Sequence, residues 1–225
     1  MDRINQTELN TTTYARVCEM LRKDIVSGYY EPGARLRIKT LVERYQVSQM
    51  PVREALQQLQ GEGLIMMNPQ KGAQVRMIDK QFIGHMYDIR IALEAMLVRG
   101  AIPQLTDRKH EELCVTQERY EASFAAKDYA GVLQWNQRLH QGINELCGNR
   151  EATAIIDRHW RLIDIMYQHY GASASRIETA IEEHRALLEA MKQRDVERAV
   201  KITAQHGTHA KQALLDSMET RPLSP

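Results

Sequence analysis

The chain has 225 residues, with 30 Lys and Arg against 29 Asp and Glu and a hydrophobic share of 43%. At about 100–200 residues per domain, that length makes one large domain or two small ones. The balanced charge excludes a disordered polyelectrolyte and a wholly basic nucleic-acid coat, and no apolar run approaches the roughly 20 residues of a membrane span.

The N-terminus, MDRINQTELNTTT, has no apolar signal-peptide core. Cys18, Cys114 and Cys147 are odd in number and fit no CxxC spacing, so they read as buried free thiols in a reducing compartment. A soluble, cytoplasmic, globular protein is expected.

A cut after Ile78 separates two textures. Residues 1–78 carry 11 Lys and Arg against 8 Asp and Glu, and Pro and Gly break them into short elements; residues 79–225 carry 19 against 21, in long stretches of helical period. Residues 1–11 are expected to be disordered. Tyr14, Val17, Cys18, Leu21 and Ile25 then mark one face of a helix that Gly28 ends. EPGARL (31–36) reads as a turn, and Ile38–Tyr45 as a short helix with Leu41, Val42 and Tyr45 inward. Gln46-Val47 is a tight turn, and Ser48 is a candidate N-cap for a helix running to about Gly61. Pro51 sits in that helix's first turn, where its missing N–H costs nothing. Val52, Leu56 and Leu59 form one face, Arg53 and Gln57 the other. LIMMN and AQVRM, joined by residues 69–72, read as a β-hairpin. Three helices and a hairpin in under 80 residues predict a winged helix-turn-helix; the alternative is a small helical bundle with solvated charges.

A helix-turn-helix places its second helix in the major groove of double-stranded DNA, N-terminal end leading. Ser48, Gln49, Met50 and Arg53, with Pro51 in the same turn, are the candidate DNA-binding residues there. Arg53 can bond guanine O6 and N7, and Gln49 adenine N6 and N7, while Ser48 and the first-turn amides suit a phosphate. Lys39 and Lys71 are candidate backbone contacts, and Gly72 lets the wing approach closely. The segment from LRKDIVSGYYEPGARL through VSQMPVREAL to GLIMMNPQKGAQV resembles the DNA-binding domain of the GntR family of bacterial transcription regulators. The matching marks are I-x-x-G-x-x-x-P-G-x-x-L, V-S-x-x-P-V-R-E-A-L and G-L-I-x-x-x-P-x-x-G-A-x-V. This resemblance implies a homodimer on a short palindromic operator. Most members carry Arg where this chain has Gln49, so the operator is expected to depart from the family pattern at that contact.

From Lys80 on, the pattern predicts an all-α bundle of six helices, about 80–102, 106–126, 129–147, 151–170, 175–193 and 196–218. In the first, Phe82, Met86, Ile89, Leu93 and Met96 form a stripe of helical period. In the third, Leu133, Asn136, His140, Ile143 and Cys147 share one apolar face; His184 and His206 lie on similar faces of the fifth and sixth. Those last two helices predict an antiparallel hairpin turning near Asp195, with each histidine 11 residues from the turn. At about 1.5 Å per residue the two sit at nearly the same height. Three imidazoles and the Asn136 oxygen suit Zn²⁺ or a similar divalent ion; the alternative is three core histidines, each satisfied by a neighbour. His85, His110, His159, His169 and His209 show no such coincidence, although His159 has a place beside Trp160 in the pocket.

The segments IRIALEAMLVRGA, WNQRLHQGINELCGN, EEHRALLEAMKQRDVERA and ITAQHGTHA resemble the FCD ligand-binding domain of the FadR subfamily of GntR regulators. That resemblance implies a divalent metal held by an Asp and three His, and a small carboxylate effector bound to the metal. His140, His184 and His206 fall on the family histidines and Asn136 on the Asp, which removes a negative charge and is expected to weaken metal binding or alter the preferred ion. Arg90 matches an arginine that reaches the effector region in some members, where it clamps a carboxylate; the alternative is a helix-surface pair with Glu94. The expectation is a mainly α protein: a winged helix-turn-helix (1–78) followed by an effector-binding and dimerisation bundle (79–225). It acts as a repressor relieved by a small organic acid, with no membrane partner and no enzymatic activity. Two rivals remain at this point. One is a metal-dependent hydrolase, which the sequence disfavours because no inward Glu or Asp stands one turn from the histidines, Glu183 lying about 100° round the helix from His184. The other is a regulator whose helical half only dimerises.

Overall fold

The computed structural model describes residues 13–70 and 72–220, apart from the side chains of residues 168 and 169. The segment 1–11, expected to be disordered, lies outside the described residues, as does Lys71. The chain divides between Ile78 and Asp79 into two compact units.

The first unit runs α1 (Thr13–Val26), β1 (Arg35–Leu36), α2 (Ile38–Tyr45), α3 (Gln49–Gly61), β2 (Ile65–Asn68) and β3 (Gly72–Val75). Its antiparallel sheet has the order β1-β3-β2, with Arg35 opposite Gln74 and Ile65 opposite Val75. The 31–36 segment is thus more than a turn. Its last two residues add a strand to the hairpin, because Leu36 has a core to enter while Arg35 stays exposed. Gln46 adopts a left-handed conformation and its N–H closes α2 on the Val42 carbonyl. Ser48 holds the N-cap position of α3 in an extended conformation, but its hydroxyl makes no capping bond.

Val17, Leu21, Leu41, Val52, Leu56 and Leu59 make an apolar core; Tyr14, expected on the same face, is 39% exposed at the start of α1. Two charged ties at the rim orient the helices. Arg22 on α1 donates to Glu62 after α3 at 2.8 Å, and Asp24 accepts from Arg44 Nε and the Tyr45 hydroxyl, both at 2.7 Å. The Arg44 hydrogen bond holds the Asp24 carboxyl below its ordinary value.

The second unit contains α4 (Lys80–Ala101), a 3₁₀ turn (Ile102–Gln104), α5 (Asp107–Ala125), α6 (Tyr129–Leu146), α7 (Arg150–Tyr170), α8 (Ala174–Lys192) and α9 (Val196–Thr220). Capping residues set the starts: the side chains of Asp79, Thr106, Asp128, Asn149 and Ser173 each accept a backbone N–H of the first turn, worth about 1 kcal/mol apiece.

The apolar stripe of α4 is largely not its buried face. Met86 is buried, but Ile89 is 52% and Met96 42% exposed, and Phe82 and Leu93 are half-buried. The buried face is Ile83, Met86, Tyr87, Arg90, Glu94, Leu97, Val98 and Ala101. Two charged residues hold inward positions, so hydrophobic period alone points to the outer stripe. α4 packs against α9, α6 and α7. α9 meets α4 at Gly207, where a Cβ would stand 2.6 Å from Ile91 Cγ1.

All three cysteines are free, but only Cys18 is buried; Cys114 and Cys147 are partly exposed. No helix among the described residues is long and apolar enough to cross a membrane.

Candidate functional site

α6, α8 and α9 bring three histidines together inside the helical unit. The turn between α8 and α9 places Arg194 in a left-handed conformation, and its guanidinium donates to the carbonyls of Ile102 and Leu105. This fixes the hairpin against the 3₁₀ turn, and with it the level of His184 and His206. His140, His184 and His206 are 5%, 1% and 8% exposed. Each offers a ring nitrogen, and the three ligand atoms lie within 4.8 Å of one another.

The hydrogen bonds around the rings assign their tautomers. His184 Nδ1 is 3.0 Å from Gln117 Oε1 on α5, so Nδ1 carries the proton and Nε2 keeps its lone pair. His206 Nδ1 is 2.7 Å from Glu183 Oε2 and donates to it. Arg176 Nη2 stands 3.2 Å from the same nitrogen; being a donor itself, it serves the His206 carbonyl at 3.3 Å. His140 Nδ1 is 3.6 Å from Glu94 Oε1, beyond hydrogen-bond range. His140 Nε2, His184 Nε2 and Asn136 Oδ1 are buried and paired with no protein group. Burial lowers the pKa of all three histidines, for His206 even against the raising influence of Glu183, so they are neutral imidazoles at neutral pH. Burial alone would raise Glu183, but hydrogen bonds from His206 and His209 outweigh it and bring its carboxyl down to about 2.

The three histidine nitrogens fit a divalent ion: they are neutral and lie within 4.8 Å of one another, and an unmet buried polar atom otherwise costs about 1–3 kcal/mol. Two of the imidazoles have the outer hydrogen bond that orients a ligating histidine.

Arg90 is not a helix-surface residue. It is 3% exposed, and its Nη2 donates to Glu94 Oε1 at 2.8 Å in a pair that is itself buried. Its guanidinium lies 3.9 Å from the centre of the Trp160 ring, which in turn meets the His140 ring at 5.4 Å. Arg90 Nη1 and Trp160 Nε1 have no protein partner. His159, beside Trp160, is buried with its Nδ1 unpaired, and burial lowers its pKa to about 4.

Sequence reasoning missed Gln117, Glu94 and Glu183 as neighbours of the cluster. Gln117 falls between Leu113 and Tyr120 on the buried stripe of α5, and that stripe was a legible signal. Glu94 is buried despite its charge, and Glu183 is turned away from His184 toward His206, a contact that only the pairing of α8 with α9 reveals. The expected lack of inward acidic groups near the histidines is therefore corrected.

In the first unit, Lys39, Ser48, Gln49, Met50 and Arg53 are all exposed, Met50 by 65%, and Pro51 is half-buried in the first turn of α3. Gln49 and Arg53, one turn apart, share an outward face opposite Val52, Ala55 and Leu56. Gly72 opens β3 at φ 74°, a conformation that favours glycine. Lys71 lies outside the described residues.

The profile of the bacterial regulatory proteins of the gntR family matches residues 13–75, and that of the FCD domain matches residues 85–209. The chain belongs to the GntR family and carries an FCD domain. Among its relatives, the HTH-type transcriptional repressor GlaR of Escherichia coli is 29% identical over 196 residues, 83% of this chain and 88% of GlaR. YdhC of Bacillus subtilis, an HTH-type transcriptional regulator, is 26% identical over 203 residues, 88% of this chain and 89% of YdhC. The fold is shared with McbR/YncC of E. coli, at a TM-score of 0.69 and 24% identity, covering 92% of this chain and 98% of that one. This GntR-family protein is a transcription regulator and not an enzyme, which sets the hydrolase alternative aside.

Proposed function

We propose that this GntR regulator is a homodimeric repressor whose grip on a palindromic operator is loosened by a small carboxylate held inside the FCD domain. The observation that carries this reading is the set of buried polar atoms without protein partners: His140 Nε2, His184 Nε2, Asn136 Oδ1 and Arg90 Nη1. A core built only for stability would not leave them unmet. His140, His184, His206 and Asn136 would hold a divalent ion, which supplies a positive charge for a carboxylate to bind. Arg90, one guanidinium nitrogen committed to Glu94 and another unpaired, serves as the anchor for an acidic group.

Repression is supported by GlaR and RspR of E. coli, both named as transcriptional repressors. Operator contact is assigned to Ser48, Gln49, Met50 and Arg53 with Pro51 in their turn, and backbone contact to Lys39, Lys71 and Gly72. The dimer is assigned to the outer stripe of α4, where Ile89 and Met96 are exposed on a helix whose other sides are packed. A second copy meeting it across a two-fold axis buries the same stripe twice and matches a palindrome.

The test is operator binding, by fluorescence anisotropy, against a panel of small carboxylic acids with Zn²⁺ present. At least one acid is expected to weaken binding by about 5–150-fold, the range of typical allosteric coupling. A panel in which no acid changes either operator affinity or melting temperature contradicts the reading and leaves the helical unit a dimerisation module. Replacing Ile89→Glu together with Met96→Glu is expected to give a monomer by light scattering; an intact dimer removes this stripe from the interface.

A further inference from the structure

The ligand set of the candidate metal centre is neutral throughout, so before any carboxylate effector binds, the negative charge nearest a divalent ion comes from behind its ligands. Two carboxylates stand there. Glu94 is committed to Arg90 at 2.8 Å and is too far from His140 Nδ1, at 3.6 Å, to orient that ring. Glu183 differs: its Oε2 takes the Nδ1 proton of His206 at 2.7 Å.

Its rotamer is fixed from other sides. Arg176 Nη1 donates to Oε2 at 3.0 Å, and the exposed His209 bonds the other oxygen. The Glu183 and Arg176 side chains are only 12% and 10% exposed, so water competes little for these bonds. A carboxylate on the far nitrogen of a ligating imidazole holds the ring and raises the basicity of the near nitrogen.

We propose that Glu183 is the positioning residue of the candidate metal centre, aiming His206 Nε2 at the ion and offsetting in part the charge that Asn136 does not provide. This rests on the metal reading above. Arg176 moderates the charge of Glu183 without removing its hydrogen bond to His206. His184 has a neutral counterpart in Gln117, so the two histidines of the α8–α9 hairpin are oriented by partners of different charge.

The experiment is Zn²⁺ affinity, measured on the untagged full chain by competition with a chromophoric chelator. Glu183→Gln is expected to weaken Zn²⁺ binding about 10–100-fold, read well below the melting transition, which itself falls because Arg176 loses its charged partner. Glu183→Asp keeps the charge but withdraws it by one carbon, and is expected to lose less. Asn136→Asp is expected to bind more tightly than wild type, and Asn136→Asp with Glu183→Gln to return toward the wild-type value. Wild-type affinity in both Glu183 variants overturns the proposal while leaving the metal reading intact. A chain that binds no Zn²⁺ either as wild type or as Asn136→Asp overturns both.

Discussion

In the first unit the buried side chains are apolar from Val17 on α1 to Leu59 on α3, and Glu62, at the rim, is its one buried charged or polar residue among those described. In the helical unit Arg90, Glu94, Gln117, His140, Asn144, His159, His184, Thr203 and His206 are all buried. The first unit carries its candidate DNA contacts on exposed Gln49, Met50 and Arg53, which leaves its core only to hold α3 in place. The second places its chemistry inside and bears the desolvation this brings, which a purely structural core avoids. A surface site can change without disturbing the fold beneath it. An interior site cannot, and the two units are therefore expected to respond differently to substitution and to acid.

The sharpest separation is expected from Arg53→Ala. Loss of a base contact costs about 1–3 kcal/mol, so specific operator binding should be lost by gel shift while the melting of the helical unit is unchanged. A variant that melts early as well would break the comparison, since Arg53 would then support the fold. Gly207→Ala runs the other way. With 2.6 Å to Ile91 Cγ1, a methyl group overpacks the α4–α9 contact, a change that typically costs about 1–3 kcal/mol. Early melting read by Trp135 and Trp160, which both lie in the helical unit, should come with undiminished non-specific DNA binding.

Gln49→Arg is expected to move base preference at one operator position from adenine toward guanine, with no effect on either core; an unchanged preference in a binding-site selection removes Gln49 from the base-edge contacts.

The smallest effect is a displacement of two acid responses. Burial lowers the pKa of His140, His184 and His206 in the folded chain. The unfolded state therefore binds more protons below about 6.5, and the metal-free helical unit loses stability as pH falls from there. In the first unit Asp24 is lowered by Arg44; the stability it contributes is present above about 4 and lost as pH falls further. Tryptophan fluorescence should change at a higher pH than loss of operator binding caused by the first unit's own unfolding. Coincident transitions would mean that the histidines do not govern the helical unit.

Much of this was legible in the sequence, for identifiable reasons. The helix breaks at Asp128 and Asn149 follow from residues whose side chains cap the helices they precede. His140, His184 and His206 could be grouped because apolar neighbours at helical spacing showed which way each one faced. The buried face of α4 was not legible because hydrophobic period cannot separate a core from an outer apolar face once Arg90 and Glu94 occupy inward positions. β1 was missed because two residues carry no period at all. Gln117 and Glu183 escaped because their roles depend on which helices pack together, and spacing along one helix does not contain that.

We propose that the polar interior of the FCD domain is a receptor. Its most direct test is calorimetric titration of Zn²⁺ into untagged, chelator-stripped protein, beside His184→Ala. About one ion per chain in wild type and none in the variant is the predicted result. Absence of binding in wild type, or equal binding in the two, would contradict it.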